Sequence, residues 1–171
     1  MELVIVSDTH GDRAILESIQ QQHPHADAYL YAGDSELAAS DSIFEAYQAV
    51  QGNMDFDAFP MTRTIKVAGI TVFMTHGHRF GVNFDLTQLI AAGQEVGAQL
   101  IVFGHTHQLG VERHDNMVVL NPGSISQPRG QFADIGGTYA VVTGDRHALN
   151  VQYLNRQSQV QPELSRTFTL I

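Results

Sequence analysis

The first twelve residues, MELVIVSDTHGD (1–12), join a short apolar run to a polar turn that contains glycine. The run Leu3–Val6 has the length and residue types of a buried strand. No basic stretch precedes it, so a secretory signal peptide is not expected. Asp8 and His10 lie in the turn that follows, where they can serve either as turn formers or as ligands.

The same plan of an apolar run followed by a polar or glycine-containing turn recurs along the chain. The further runs and their turns are 28–31 with AGDSE, 47–50 with QGNMD, 70–74 with THGHR, 100–103 with GHTHQ and 118–120 with NPGS. They predict buried strands of a layered α/β sheet. Apolar residues at helical spacing predict helices over 13–22 and 86–96, with Asp85 as a candidate cap, and a shorter one over 42–47.

Three hairpins are predicted in the second half of the chain. Their turns fall at Ala68–Gly69, Asp115–Asn116 and Gly144–Asp145. The segment SISQPRGQFADIGG, residues 124–137, is the longest with turn chemistry and is expected to form a loop over a site. A chain that begins as βαβ and ends in antiparallel strands predicts two packed sheets with helices outside, in a single domain spanning 1–171.

Composition excludes several kinds of site. The chain has 171 residues, of which 43% are hydrophobic and 16% charged, as is ordinary for a globular protein. It has no cysteine, so disulfides, thiolate zinc sites and a cysteine nucleophile are excluded. Any metal must therefore be bound by oxygen and imidazole ligands.

The net charge of the chain indicates which binding partners are expected. The formal net charge is −9, and only 9 Lys and Arg residues are spread along the chain. A broad nucleic-acid surface is therefore not expected, although bound metals can create a local positive spot for a phosphate-bearing substrate. No run approaches the roughly 20 apolar residues of a membrane span. We expect a soluble cytoplasmic protein, and the sequence leaves open whether it forms a homo-oligomer.

Metal-competent side chains are concentrated in five of the turns. They are Asp8 and His10, then Asp34, then Asn53, then His76 and His78, then His105 and His107. Each set follows the carboxyl end of a predicted strand, where open α/β sheets bind ligands. A lone histidine in a turn is usually solvated, but four of the nine histidines form H-x-H pairs beside glycine, straight after apolar runs. This conjunction favours a metal site over a set of unrelated turn residues.

The ligand types and their number indicate which metals fit. Carboxylate, amide oxygen and imidazole together suit manganese, iron, zinc or similar ions. Six or seven ligands are too many for one ion with an open position, but they suit two ions that share a carboxylate. Such ion pairs activate a water for in-line attack on phosphorus.

The ordered motifs D-x-H, G-D, G-N-x-D, H-G-H and G-H-T-H resemble those of the calcineurin-like metallophosphoesterase superfamily. Chain length and the NPGS motif resemble its small bacterial and archaeal phosphodiesterase subfamily. The resemblance implies an α/β fold, a four-layer αββα sandwich of two packed mixed β-sheets with helices outside. It also implies hydrolysis of a small phosphate ester, with diesters favoured.

The resemblance assigns roles residue by residue. Asp8, His10 and His107 would hold one divalent ion. Asn53, His76 and His105 would hold the other. Asp34 would bridge the two ions, and a hydroxide held between them would be the nucleophile. Mn²⁺ is the expected ion, with Zn²⁺, Fe²⁺, Ni²⁺ and Co²⁺ as alternatives.

One position departs from many superfamily members. A histidine that assists the leaving group often follows the G-N asparagine, whereas this chain has Met54, which can donate no proton. His78 is a candidate replacement acid or phosphate contact, and a hydrogen-bonding role behind the ligands is the alternative. Asp55 is expected to position other groups, or simply to form a turn. Arg79 and Arg129 are candidate phosphate contacts, or solvated arginines.

Two other functions are compatible with parts of the sequence. A eukaryotic trafficking subunit shares this fold and works as a scaffold, but retention of all seven expected ligand positions argues for an enzyme. Paired metals also serve aminopeptidases. The asparagine ligand and the G-H-T-H spacing favour phosphate over a peptide bond.

Overall fold

The computed structural model describes residues 1–170, which form eleven strands, two α-helices and three short 3₁₀ helices. The helices are α1 (Arg13–Gln22) and α2 (Thr87–Glu95). The strands are β1 (Glu2–Val6), β2 (Ala28–Tyr31), β3 (Tyr47–Ala49), β4 (Thr62–Val67), β5 (Ile70–Thr75), β6 (Leu100–Val102), β7 (Gly110–His114), β8 (Met117–Asn121), β9 (Thr138–Gly144), β10 (Ala148–Asn155) and β11 (Arg166–Thr169).

The strands form two mixed sheets. The first has the order β11-β10-β9-β1-β2-β3, and the second has the order β4-β5-β6-β8-β7. In the first sheet β1, β2 and β3 are parallel, while β9, β10 and β11 join by antiparallel pairing. In the second, β5, β6 and β8 are parallel and each edge strand is antiparallel. The carboxyl ends of the parallel strands therefore lie together at one edge of each sheet.

Alternate residues of each strand face opposite sides of the sheet, so one side packs against the other sheet and the opposite side packs against a helix. Leu3 and Ile5 of β1 belong to an apolar cluster that also contains Val72 and Leu100 of the second sheet, so the sheets pack face to face. The alternate β1 residues face outward, where they cluster with apolar residues of α1. Leu89 of α2 clusters with residues of β5, β6 and β8 in the same way. Helix, sheet, sheet and helix follow one another, and the predicted αββα sandwich is confirmed.

Both α-helices begin and end close to the predicted residues. Asp12 caps α1, because its side chain accepts a hydrogen bond from the Ile15 amide at 3.2 Å. Asp85 acts similarly before α2, accepting from the Thr87 amide at 2.8 Å. None of the helices within residues 1–170 is long and apolar enough to cross a membrane.

One sequence prediction needs correction. The short helix predicted over 42–47 is a 3₁₀ helix over Ser42–Glu45, because Tyr47 already pairs with Tyr29 as the first residue of β3. The three predicted hairpins and the two mixed sheets are confirmed, and the structure adds the parallel pairing of β5, β6 and β8. That pairing joins strands separated by a helix or a hairpin, which local turn signals do not reveal.

Candidate metal centre

Seven predicted ligands leave the sheets at the carboxyl ends of five parallel strands. Asp8 and His10 follow β1, Asp34 follows β2, and Asn53 follows β3 in the first sheet, while His76 follows β5 and two histidines, His105 and His107, follow β6 in the second. Contacts between the sheets close the gap. The His105 amide of the second sheet donates to Asp8 Oδ2 of the first at 3.3 Å, and His76 Nδ1 of the second donates to the Ala32 carbonyl of the first at 2.7 Å.

The turns that carry the ligands have unusual backbone conformations. Five of the predicted ligands have positive φ: Asp8 (56°), His10 (47°), Asp34 (57°), His105 (68°) and His107 (60°). Aspartate and histidine tolerate this region better than most residues, yet it is uncommon and clusters at functional sites. The conformation recurs at both predicted ligands of the D-x-H motif and at both histidines of the G-H-T-H motif.

Close approach of the turns requires small residues. A Cβ on Gly104 would lie 2.1 Å from Ser7 Oγ, and one on Gly52 would lie 2.0 Å from Asp34 Oδ1. Glycine at these two positions therefore lets the turn after β6 approach Ser7 and Asp8, and the turn after β3 approach Asp34. The glycines of the G-H-T-H and G-N-x-D motifs thus serve the assembly of the site rather than its chemistry.

The first group of ligands is Asp8, His10, Asp34 and His107, whose ligand atoms all lie within 4.8 Å of one another. His107 Nε2 is 3.3 Å from Asp8 Oδ1 and 3.2 Å from His10 Nε2. Asp8 is fully buried, and within residues 1–170 its Oδ1 atom has no hydrogen-bond partner. A buried carboxylate oxygen without a donor is costly and calls for a positive partner.

The histidine ring nitrogens show the same need for a cation. His10 Nδ1 donates to Glu36 Oε1 at 2.6 Å, and His107 Nδ1 donates to the Gln127 carbonyl at 2.7 Å. In neutral rings, both Nε2 atoms are then acceptors, and two acceptors 3.2 Å apart cannot satisfy each other. A divalent cation among the two Nε2 atoms and Asp8 Oδ1 would satisfy all three, so the donor set fits a metal.

The second group is formed by Asp34, Asn53 and His76. His76 Nε2 lies 3.3 Å from Asp34 Oδ2 and 3.1 Å from Asn53 Oδ1. His76 Nδ1 donates to the Ala32 carbonyl at 2.7 Å, which again leaves Nε2 as an acceptor facing other acceptors. Asp34 touches both groups, as the bridging role implied by the family resemblance requires.

His105 completes the second group. Its ring centroid is 5.1 Å from that of His76, and its Nε2 atom contacts the Asn83 side-chain nitrogen at 3.0 Å. With Nε2 engaged by Asn83, Nδ1 is the ring nitrogen left for a metal. The structure thus places all seven predicted ligands around one site.

The pKa shifts of three histidines indicate the sign of the electrostatic potential at this site. Burial lowers the pKa of His76, but contact with Asp34 and Asp8 outweighs it, and the net pKa is raised. His107 behaves alike, because Asp8 outweighs the effect of burial and raises its pKa. The pKa of His105 is lowered, mainly by burial. The carboxylates therefore create a negative field that favours cations, divalent metals included.

The Asp55 carboxylate lies against the turn that carries Asp34. Its Oδ1 atom accepts hydrogen bonds from the Ser35 amide, the Ser35 hydroxyl and the Glu36 amide. Its Oδ2 atom accepts from the Asp34 and Gly52 amides at 3.0 and 2.7 Å. With both oxygens engaged, Asp55 positions the Asp34 turn and has no direct catalytic contact.

We expect Asp55→Asn to destabilise the protein and weaken metal binding. The variant must present an NH₂ group to amides that now donate to a carboxylate, so buried donors lose their acceptor at a cost of about 1–3 kcal/mol. Denaturant unfolding of the metal-free protein measures this loss. Asp57→Asn is the matched control, because Asp57 accepts a backbone hydrogen bond from Ala39 in an exposed position. Equal stability of the two variants would contradict the assignment.

A cavity of about 290 Å³ opens over the ligands. It is lined by His10, Asp34, Glu36, Asn53, Met54, His105, His107, Gln127 and Arg129. Gln127 and Arg129 belong to the segment 124–137, which lies over the site as its turn chemistry predicted. Within residues 1–170 the Arg129 guanidinium donates no hydrogen bond, so it is free to contact an anion.

His78 lies behind the lining residues. Its ring centroid is 5.4 Å from that of His76 and 6.2 Å from that of His105. Burial, followed by the nearby His76 and His105, lowers its pKa. Its Nδ1 atom is buried without a hydrogen-bond partner in the described residues. Within residues 1–170 His78 makes ring contacts with two predicted ligand histidines but no side-chain hydrogen bond, so its predicted roles as acid, phosphate contact or hydrogen-bonding residue stay predictions.

Sequence reasoning missed two side chains at the site. Glu36 contacts His10 and Asn83 contacts His105. Glu36 was detectable in principle, since it is a third acidic or polar residue in the turn AGDSE, two positions after Asp34. Asn83 lies in no ligand motif and reaches His105 only through the folding of the chain.

Comparisons with known proteins agree with this geometry. Residues 1–147 match the family model described as the calcineurin-like phosphoesterase superfamily domain. The chain is 32% identical to the probable metallophosphoesterase YsnB of Bacillus subtilis, covering 99% of this chain and 100% of the relative. It is 33% identical to the phosphodiesterase YfcE of Escherichia coli, covering 92% of this chain and 95% of that protein.

Solved structures show the same fold. A conserved uncharacterized protein of Streptococcus pneumoniae, described as a predicted phosphoesterase, superposes with a TM-score of 0.93 at 35% identity, covering 98% of this chain and 97% of the other. Vps29 of Entamoeba histolytica, solved with Zn²⁺, has a TM-score of 0.73 at 16% identity and covers 99% of each chain, which shows a shared fold alone.

This chain belongs to the calcineurin-like phosphoesterase superfamily. Its small bacterial and archaeal metallophosphoesterase homologues match it over most of their length.

Proposed function

We propose that this protein is a dinuclear metal-dependent phosphoesterase that hydrolyses small phosphate esters, with diesters preferred. The observation that carries the proposal is the convergence of three acceptors: Asp8 Oδ1 is buried with no hydrogen-bond partner within residues 1–170, and in neutral rings His10 Nε2 and His107 Nε2 lie 3.2 Å apart with neither able to donate. Membership of the phosphoesterase superfamily supports the reaction type, and the E. coli phosphodiesterase relative supports the preference for diesters.

Two ligand groups would hold the ions. Asp8, His10 and His107 form one, Asn53, His76 and His105 form the other, and Asp34 is shared. The mixed oxygen and imidazole donors favour Mn²⁺, with Zn²⁺, Fe²⁺, Ni²⁺ or Co²⁺ as alternatives. When bound, such ions supply activation of a water molecule and neutralisation of charge on the phosphoryl oxygens.

The chain's own residues would bind and orient the ester. Arg129 lines the cavity, its guanidinium donates no hydrogen bond to the described residues 1–170, and it is positioned to contact a phosphate oxygen. Met54, which is 45% exposed, lines the same cavity and presents an apolar thioether. Its amide donates to Asp34 Oδ1 at 2.8 Å and helps to orient that carboxylate.

Metal analysis and a substrate panel test the proposal. Purified protein should contain divalent metal, and metal-loaded protein should cleave an aryl phosphodiester faster than the matched monoester. A scaffold of the same fold, as among the structural neighbours named Vps29, would show neither strict metal dependence nor turnover. Turnover of aminoacyl substrates instead of phosphate esters would also overturn the proposal.

We expect the rate to depend steeply on the leaving group. Met54 offers no proton, so an aryl oxide should leave readily whereas a more basic alkoxide should not. General acid assistance is worth roughly 10²–10⁴-fold where it operates. Nitrophenyl diesters should therefore turn over much faster than alkyl diesters, and Met54→His should help the alkyl substrates more. The measurement is kcat/KM across diesters of graded leaving-group pKa.

His78→Ala separates the two roles considered for His78. If the substitution slows alkyl diesters selectively, His78 is the proton donor, and the prediction that the site lacks a proton donor is wrong. Equal slowing of aryl and alkyl diesters is expected, because His78 packs against His76 and His105 and would act through their positions. A flat dependence on leaving-group pKa in the unaltered protein, with chemistry rate-limiting, would refute the prediction.

A further inference from the structure

Glu36 makes the shortest contact to a ligand histidine in the site. Its Oε1 atom accepts a hydrogen bond from His10 Nδ1 at 2.6 Å. The Glu36 side chain is 30% exposed, the His10 side chain is 10% exposed, and both residues line the cavity over the ligands. The pair is therefore shielded enough for its geometry to matter, and it lies where a metal would be bound.

The contact determines which ring nitrogen of His10 faces the site. With the Nδ1 proton donated to a carboxylate, the lone pair of the neutral ring lies on Nε2, which points toward His107 Nε2 and the buried Asp8. A carboxylate partner also increases the electron density of the imidazole and makes it a stronger donor to a metal. Glu36 thus acts on the metal through His10.

We propose that Glu36 is a positioning residue that strengthens metal binding at the subsite of Asp8, His10, Asp34 and His107. The inference rests on the proposed function only in requiring that a divalent metal is bound there. Glu36 is not itself placed as a ligand, because it lies outside the group of side chains whose ligand atoms are all within 4.8 Å of one another, and its Oε1 accepts from His10 Nδ1.

Within residues 1–170, the other predicted ligand histidines have no carboxylate partner outside the metal cluster. His76 and His107 donate to the Ala32 and Gln127 carbonyls, and His105 contacts the Asn83 side-chain amide. Glu36 therefore adds a third carboxylate to the side of the centre that already contains Asp8 and the shared Asp34. The side formed by Asn53, His76 and His105 has only the shared Asp34, so loss of Glu36 should affect the two subsites unequally.

The backbone holds Glu36 independently of its side chain. Its amide donates to Asp55 Oδ1 at 2.9 Å, and its φ of 54° continues the tight turn that begins at Asp34. Substitution of the side chain leaves this hydrogen bond in place, so Glu36 variants should fold. Glu36→Gln retains an acceptor for His10 Nδ1 without the charge, whereas Glu36→Ala removes both.

Calorimetric titration of metal-free protein with Mn²⁺ tests the proposal. Glu36→Ala should weaken one of two binding events by roughly 10–100-fold, as is typical when the partner of a ligand histidine is lost. Glu36→Gln should lose less Mn²⁺ affinity than Glu36→Ala, because it keeps an acceptor for His10 Nδ1. Glu2→Gln is the matched control, because Glu2 contacts His23 Nδ1 at 3.3 Å away from the site, and it should bind Mn²⁺ like the unaltered protein.

The tautomer of His10 provides a second readout without metal. A two-bond ¹H–¹⁵N spectrum of neutral His10 should show a protonated Nδ1 in the unaltered protein and in Glu36→Gln, and a mixture of tautomers in Glu36→Ala. If the unaltered protein and both Glu36 variants bind two ions with equal affinity, the proposed role of Glu36 is overturned and the proposed function is left intact. Unaltered protein that binds no metal would overturn the proposed function itself.

Discussion

Removal of divalent metal is expected to abolish phosphodiester hydrolysis, and Mn²⁺ is expected to restore at least as much activity as Mg²⁺. Four histidine nitrogens face the ligand cluster, and imidazole binds later transition metals better than Mg²⁺, which prefers oxygen ligands and retained water. The measurement is turnover of an aryl diester after chelation and after addition of each metal. Elemental analysis of the same samples must accompany it.

Metal should also stabilise the fold, because the apo centre crowds acceptors against one another. Binding at 100 times the dissociation constant stabilises a folded protein by about 2.7 kcal/mol for one site. Thermal unfolding with and without Mn²⁺ reads this directly and needs no substrate. Full turnover in protein shown to be metal-free, or unfolding that is insensitive to every divalent metal tested, would contradict the mechanism.

Much of the fold is predictable because its signals are local. The apolar run of β1 and the helical spacing of α1 are written in consecutive residues, and both elements form where the sequence places them. β11, Arg166–Thr169, was not predicted, because its residues are mostly exposed and it lacks an apolar run. Its strand structure comes from pairing with β10 at the sheet edge, which is a property of the assembled sheet.

The site also combines features that the local sequence predicts with features that only the fold reveals. Ligand types and spacings are local, so the motifs predict which side chains meet. Their hydrogen-bond partners are not local: Gln127 is 20 residues from His107, and Asn83 is 22 residues from His105. Asp55 is an example: the sequence indicates a positioning role, but the amides of Asp34 and Ser35 from which it accepts hydrogen bonds lie 21 and 20 residues away and are identified only by the fold.

Asp34→Asn is expected to separate metal binding from folding. In the variant, the Asn oxygen can still accept from the Met54 amide, which now donates to Asp34 Oδ1 at 2.8 Å. The new NH₂ group replaces Oδ2, 3.3 Å from His76 Nε2, and that nitrogen is an acceptor because Nδ1 donates to the Ala32 carbonyl. The substitution therefore creates a good hydrogen bond in the apo protein, and its free energy of unfolding should change by no more than about 1 kcal/mol.

That same hydrogen bond should disable the centre. It occupies the His76 lone pair needed for one ion and removes the carboxylate proposed to be shared by both ligand groups. Loss of an outer partner typically costs 10–100-fold, so loss of the shared ligand should lower kcat by more than roughly 100-fold. Asp57→Asn, an exposed aspartate that accepts one backbone hydrogen bond, is the control and should retain turnover. Asp34→Asn protein that binds two ions and turns over normally would show that another residue joins the two subsites.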